Sequence, residues 1–241
     1  MTKLNTNWSD ILAKAGYPTD VLILDFETYW DKDYSLKNLS TVEYVKDKRF
    51  EIMGLGAGAP SQQIAPTFFL PDQVQDFLDS VDWDNTTIVG QYLFFDGLIL
   101  REHFGIIPHF TVDIRDLAKF WDARDKHSLE YMAKQFGAPK PKGDNQWSKG
   151  SHWSDMTDIQ RQLLADYCKT DVEIESYLFQ KLLPLISNPD KELRLATHCL
   201  HAFLEPNIEI NFELGEELKE KMEQEMLKTI DGLEWILNYA N

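Results

Sequence analysis

Asp25 and Glu27 flank Phe26 at the end of the apolar run VLILD, residues 21–25. In an extended strand, residues two apart face one side, so these two carboxylates project together. Like charges so placed repel unless a cation lies between them, and Mg2+ or Mn2+ prefers carboxylate oxygen. A solvent-facing strand end explains a lone D-x-E equally well. Asp96 follows the strand-like TTIVG and two phenylalanines, then enters a helix containing Leu98, Ile99 and Leu100, where an N-cap is its ordinary role. Asp171, in DYCKTDVEIESYLF, falls on an apolar helical stripe traced by Leu163, Leu164, Tyr167, Cys168, Ile174 and Leu178. A carboxylate there is costly unless it is paired or bound to metal. Tyr167, one helical turn earlier, shares its face.

The elements that must position these residues alternate along the chain without internal repeats. Strands are expected at VLILD, EIMGLGAGA, QIAPTFFL, TTIVG and FTVDI. Helices are expected from Pro71 through PDQVQDFLDSV, over FDGLILREHFG with Gly105 as its stop, over RDLAKFWDA, and over SLEYMAKQFG with Gly137 closing it. A long helix spans about 157–183, and Pro184 with the SNPD turn marks a boundary. Two helical stretches follow, separated by EPNIEIN.

Composition narrows the function classes. A chain of 241 residues that is 43% hydrophobic buries a sizeable core. No run matches a membrane span or a signal peptide, so the expected compartment is the cytoplasm. Cys168 and Cys199 are too few for a disulfide framework or a four-ligand zinc site, and both read as small buried residues. HCLH, with His198 and His201 around Cys199, lacks further nearby ligands and reads as ordinary helix. A net charge of −16 argues against broad binding of duplex DNA. Residues 190–241 hold 12 acidic and 5 basic residues, whereas Lys140, Lys142 and Lys149 make residues 137–153 the one basic island.

The ordered set Asp25, Glu27, Asp96, Tyr167 and Asp171 resembles the DEDD 3'-5' exonucleases of the tyrosine subclass. DFETYWDKDYSLKNLSTVEYVKDKRFEIMGLG, GQYLFFDGLIL, HSLEYMAKQFG and YCKTDVEIESYLF resemble the proofreading domain of phage-type family A DNA polymerases, over most of residues 20–185. Residue 166 is Asp, so the histidine of the sister subclass is absent. The resemblance implies an α/β, ribonuclease H-like exonuclease fold, with a central mixed five-stranded sheet flanked by helices. It implies an exonuclease domain over 1–188 and a C-terminal helical extension over 189–241, similar to the connection from exonuclease to polymerase.

The resemblance also implies two divalent metal ions, Mg2+ or Mn2+. Asp25 would bridge them, Glu27 and Asp171 would complete one, and Asp96 would hold the other mainly through water. Tyr167 would orient the attacking water, and nucleoside 5'-monophosphates would leave DNA 3' ends, preferably single-stranded. Phe26, Thr28 and Phe95 are candidates for lining the terminal nucleotide, although Phe26 fits the core equally well. Gln91 stands where histidine or glutamine is common, and Tyr92 where the family usually has asparagine, which shifts the expected contact toward stacking. Lys140, Lys142 and Lys149 would steer the strand.

No polymerase palm accompanies these residues, so the expectation is a fragment, a split gene product or a free-standing exonuclease of a bacterial or phage-infected host cell, with a DNA polymerase or replication protein as partner. Leu214, Leu218, Met222, Met226, Ile230 and Leu233 form an apolar stripe on the last helix, for packing on its own domain or for docking a partner. RNA trimming on the same fold is the enzymatic alternative, and a non-catalytic interaction module is the other.

Overall fold

The computed structural model describes residues 7–60 and 65–231. In chain order the elements are α1 (Trp8–Ala15), β1 (Val21–Thr28), α2 (Thr41–Lys46), β2 (Ile52–Gly58), β3 (Thr67–Phe69), α3 (Val74–Asp79), β4 (Thr87–Gly90), α4 (Leu93–Phe104), β5 (Phe110–Asp113), α5 (Ile114–Trp121), α6 (Leu129–Phe136), α7 (Asp158–Leu182), α8 (Pro189–Leu204) and α9 (Phe212–Asp231). The five strands form one mixed sheet in the order β3-β2-β1-β4-β5. β1 pairs antiparallel with β2 and parallel with β4, so the strand carrying Asp25 and Glu27 lies at the centre. This is the expected mixed five-stranded sheet.

Strand alternation divides the core into two layers. Val21 and Ile23 point to the side packed by α1, α5, α6 and α7, whereas Leu24 and Phe26 point to the side packed by α2, α3, α4 and α8. Asp25 and Glu27 continue the first register, toward α7. That helix begins with a capping box between Thr157 and Gln160 and ends before Pro184, close to its expected limits. Leu163, expected on its buried stripe, is 51% exposed; Leu164, Cys168, Asp171, Val172, Glu175 and Leu178 carry the buried face instead. The helix approaches the sheet closely because Gly56, opposite Asp25 in the register, has no side chain. A Cβ there would lie 2.6 Å from the Cys168 sulfur.

Several local expectations shift. Residues 71–73 form a turn, and α3 begins only at Val74. Of QIAPTFFL, only Thr67–Phe69 is strand, with Gln63 and Ile64 outside the described residues. α1 and α2 are short helices that the periodicity did not mark. α8 was expected beyond the domain boundary, yet it packs on α1, α4 and β5, and the compact unit runs through Glu205. From Pro206 on, the described residues form a separate unit whose helix α9 bears exposed Leu214, Leu218, Met222 and Met226; Leu233 lies outside the described residues. Cys199 is exposed rather than buried. Among the described residues, no helix is long and apolar enough to cross a membrane.

One buried carboxylate ties three elements together at the sheet's carboxyl edge. Asp113, at the end of β5, accepts hydrogen bonds from the backbone N–H groups of Tyr92 (3.1 Å), Leu93 (2.7 Å) and Arg115 (2.8 Å). It therefore caps the N-termini of both α4 and α5. Burial, with Asp116 adding, pushes its pKa up to about 6 against the pull of those donors. Asp113→Ala should cost about 2–4 kcal/mol, since it strips caps from two helices and leaves buried N–H groups unpaired. Denaturant titration of the full chain checks this, and an unchanged midpoint would contradict it.

Candidate active site

The carboxyl end of β1 delivers Asp25 and Glu27 beneath α7, where Asp171 is buried. Ligand atoms of Asp25, Glu27 and Cys168 lie within 4.8 Å of one another. Asp96, buried in the first turn of α4, enters from the other side, and its Oδ1 accepts the backbone N–H of Phe26 at 3.0 Å. This bond between neighbouring elements sets the distance from Asp96 to Asp25 and Glu27. The four carboxylates expected from the sequence thus converge, held by the central strand and two helices.

Their ionisation is mutually opposed. Burial pushes the Asp25 pKa up to about 7, with the Asp171 carboxylate adding and Lys142 opposing. Burial likewise raises Glu27 well above its ordinary value, helped by Asp25 and Asp171, and raises Asp96, helped by Asp25. Burial also raises Asp171, although Lys142 opposes it. The Cys168 thiol, itself pushed far up by burial, stays protonated and donates to the Asp25 backbone oxygen at 3.4 Å and to its Oδ2 at 3.7 Å.

Lys142 is the cation that faces this cluster. Its ammonium donates to Asp171 Oδ2 and, at 2.7 Å, to the Tyr167 hydroxyl. Burial works against this ammonium, but Asp171 and Tyr167 outweigh it and hold the pKa above the ordinary lysine value. Burial raises Tyr167 as well, against the pull of Lys142, so its phenol stays protonated at neutral pH. Asp171 Oδ1 is buried without a hydrogen-bond partner. Convergent carboxylates, an orphaned oxygen and suppressed ionisation form a donor set that fits hard divalent cations.

Beside Glu27 opens a cleft of about 360 Å3, lined among others by Thr28, Trp30, Tyr44, Phe95, Gln146 and Lys149. Thr28 Oγ1 sits 2.9 Å from the Tyr44 hydroxyl. Phe26 borders the cleft but is 4% exposed and stacks on Phe104, so its ring is core. Gln91 is drawn elsewhere, its amide donating to the His127 carbonyl at 2.9 Å.

Tyr92 lines a second cleft of about 460 Å3 together with Thr41 and Arg115, and Leu36 borders both clefts. Arg115 lies over the Tyr92 ring, 4.7 Å from its centroid. Among the described residues Tyr92 alone, apart from glycines, has positive φ, at 69°. Asparagine tolerates this left-handed conformation better than tyrosine.

The basic island separates into three roles. Lys142 enters the carboxylate cluster, Lys140 pairs with Glu173 at 2.5 Å, and Lys149 lies over the Trp30 ring at 5.7 Å. Lys142's placement, Trp30 and Asp113 were not legible in the sequence as parts of a site. The lysine spacing carried a signal for the loop but none for its partners.

A family model described as 3'-5' exonuclease matches residues 62–187, over half of the chain. The chain belongs to this family. The match includes Asp96, Tyr167 and Asp171, and Asp25 and Glu27 precede it on β1. The exonuclease is similar to Brucella melitensis NrnC at 15% identity, over 80% of this chain and 85% of that one, with a TM-score of 0.54. Trypanosoma brucei RNase D, solved in complex with RNA U12, matches at 13% identity over 85% and 70%, with a TM-score of 0.57. NrnC with bound Mg2+ matches at 14% identity over 80% and 85%, with a TM-score of 0.52. These likenesses establish the fold. A comparison with the curated proteins finds no match. DEDD exonucleases hydrolyse phosphodiester bonds with two divalent metal ions, and the donor set of this exonuclease is suited to them.

The raised carboxylate pKa values fix the sign of a pH effect. Between the ordinary Asp value of 3.8 and about 7, the native state retains a proton on Asp25 that the unfolded chain has lost. Stability of the metal-free protein should therefore fall as pH rises from about 4 through 7, and Mn2+ should restore most at the upper end. Melting temperature from pH 5 to 8, in EDTA and in Mn2+, reads this directly; a metal-free melting point that climbs across that range would contradict it.

Proposed function

We propose that the protein removes nucleoside 5'-monophosphates from the 3' ends of DNA, preferring unpaired ends, with Asp25, Glu27, Asp96 and Asp171 holding the metal ions. The observation that carries this reading is the aromatic and basic cleft opening beside Glu27. Its volume suits a small ligand such as one nucleotide. Trp30 and Phe95 offer faces for an unpaired base, and Lys149 offers charge for a phosphate. A duplex end must fray to enter such a cleft, which favours single strands.

When bound, the two ions would lower the pKa of the attacking water and stabilise charge on the leaving 3' oxygen. Asp25, beside Glu27 on β1 and under the influence of the Asp171 charge, would be the carboxylate shared by the ions. Tyr167, whose oxygen accepts from Lys142, keeps its own proton available for a hydrogen bond to water or phosphate. Its raised pKa supports an orienting role over that of a free base. Thr28 and Phe95 line the terminal nucleotide's cleft. Tyr92 with Arg115 offers a stacking surface farther along the strand. A polymerase extending the same end is the partner such trimming serves.

RNA is the second reading, supported by the fold likeness to an RNase D solved with RNA U12 and to NrnC solved with pGG. Digestion of 3'-labelled single-stranded DNA, recessed duplex and RNA, in Mg2+, Mn2+ or EDTA, separates the two. DNA cleaved faster than RNA supports the first reading, and the reverse order supports the second.

Asp25→Ala and Asp171→Ala should each lower kcat by orders of magnitude, as the loss of several kcal/mol of transition-state stabilisation requires. Full activity in EDTA would defeat the metal reading. Tyr167→Phe should lower turnover yet leave Mn2+ affinity nearly unchanged, as calorimetry can measure. Loss of metal binding in that variant would show that the hydroxyl serves the ions instead.

A further inference from the structure

A fifth carboxylate stands with the four already described. Glu175 follows Asp171 by one helical turn on α7, on the face that Cys168 and Val172 press against β2. It is 1% exposed, and its Oε2 has no hydrogen-bond partner. The neighbouring Glu173 shows the ordinary arrangement, at the surface and paired with Lys140. Core positions around Glu175 belong to Ile174, Leu178 and Phe179, and a residue needed only for packing there would be apolar like them. An unpaired carboxylate in such surroundings is costly, and a cation is the partner that would relieve it.

The charges acting on Glu175 are those of the carboxylate cluster. After burial, Asp25 raises its pKa most, followed by Asp96 and Asp171, while Lys142 opposes them. Glu175 lies one helical turn beyond Asp171 and two beyond Cys168, whose sulfur belongs to the same group of ligand atoms as Asp25 and Glu27, which sets it beside the cluster. Charge balance agrees. Five ionised carboxylates with the Lys142 ammonium leave an excess of four negative charges, the amount that two divalent cations neutralise.

We propose that Glu175 is a fifth carboxylate of the divalent-cation site formed with Asp25, Glu27, Asp96 and Asp171. The inference rests on the metal site described under the proposed function. Glu175 would hold an ion directly or through one of its waters, adding its charge to that of the other four carboxylates.

Calorimetric titration of the full chain with Mn2+, alongside melting with and without Mn2+, tests this in the wild type, Glu175→Gln and Glu175→Asp. Glu175→Gln should bind Mn2+ roughly 10-fold or more weakly, the range for losing a supporting group of a metal site. Without metal it should melt at or above the wild type, because the amide replaces a carboxyl group whose ionisation burial and its neighbours oppose, and Mn2+ should raise its melting point less. Equal affinity and an equal rise in wild type and Glu175→Gln would overturn the inference. Should the amide variant fail to fold, Glu175→Asp decides. A carboxylate drawn back by one methylene with undiminished Mn2+ affinity would overturn it, and weakened affinity would support it. A wild type that takes up no Mn2+ would overturn the metal site itself, a result distinct from equal uptake by wild type and variant.

Discussion

Mutual repulsion among buried carboxylates is the constraint around which the domain is built. Asp25, Glu27, Asp171 and Glu175 lie where the central strand meets α7, Asp96 joins them from α4, and each raises the cost of ionising its neighbours. Lys142 is the ammonium turned toward them. A seam of this kind holds together without metal only if protons or cations enter it and the walls are rigid enough to resist separation.

The walls supply that rigidity by ordinary means. β4 pairs with β1 only over Val21–Ile23, whereas β2 pairs with it from Ile23 through Thr28 and so holds the stretch that carries Asp25 and Glu27. Gly56 allows α7 to approach, and the Cys168 thiol fills the gap while donating to Asp25. The Phe26 N–H fastens Asp96, and Asp113 anchors the start of the helix that bears it. The stability released by apolar burial on both faces of the sheet offsets the strain of the charged seam, so the metal site depends on packing far from it.

The same arrangement sets the carboxylate cluster apart from the aromatic cleft. The carboxylates lie beneath α7, whereas the aromatic cleft opens at the end of β1, where the strand register shifts between Glu27 and Thr28. His152 closes over this edge, stacked on Tyr29 with ring centroids 4.0 Å apart and bonded to Glu51. The loop that carries Lys142 and Lys149 is thereby tied to the sheet and brings Lys142 to Asp171 and Lys149 to the cleft.

Local rules made much of this legible in advance. Strand alternation put Asp25 and Glu27 on one face, helical spacing paired Tyr167 with Asp171, and Gly105 and Gly137 stop their helices in the left-handed conformation. Such features depend on neighbours a few residues away, so the sequence by itself determined them. The tertiary structure alone decided that α8 joins the compact unit, that Phe26 packs in the core, that Tyr92 faces a second cleft, and that Lys142 reaches Asp171 across 29 residues. It also decided that Glu175 lies inside the cluster, although the run DVEIE sets an acid at every second position and does not say which one is buried. The physical reason is that burial and charge pairing arise from elements distant in sequence, and a side chain's type does not state which of them will cover it.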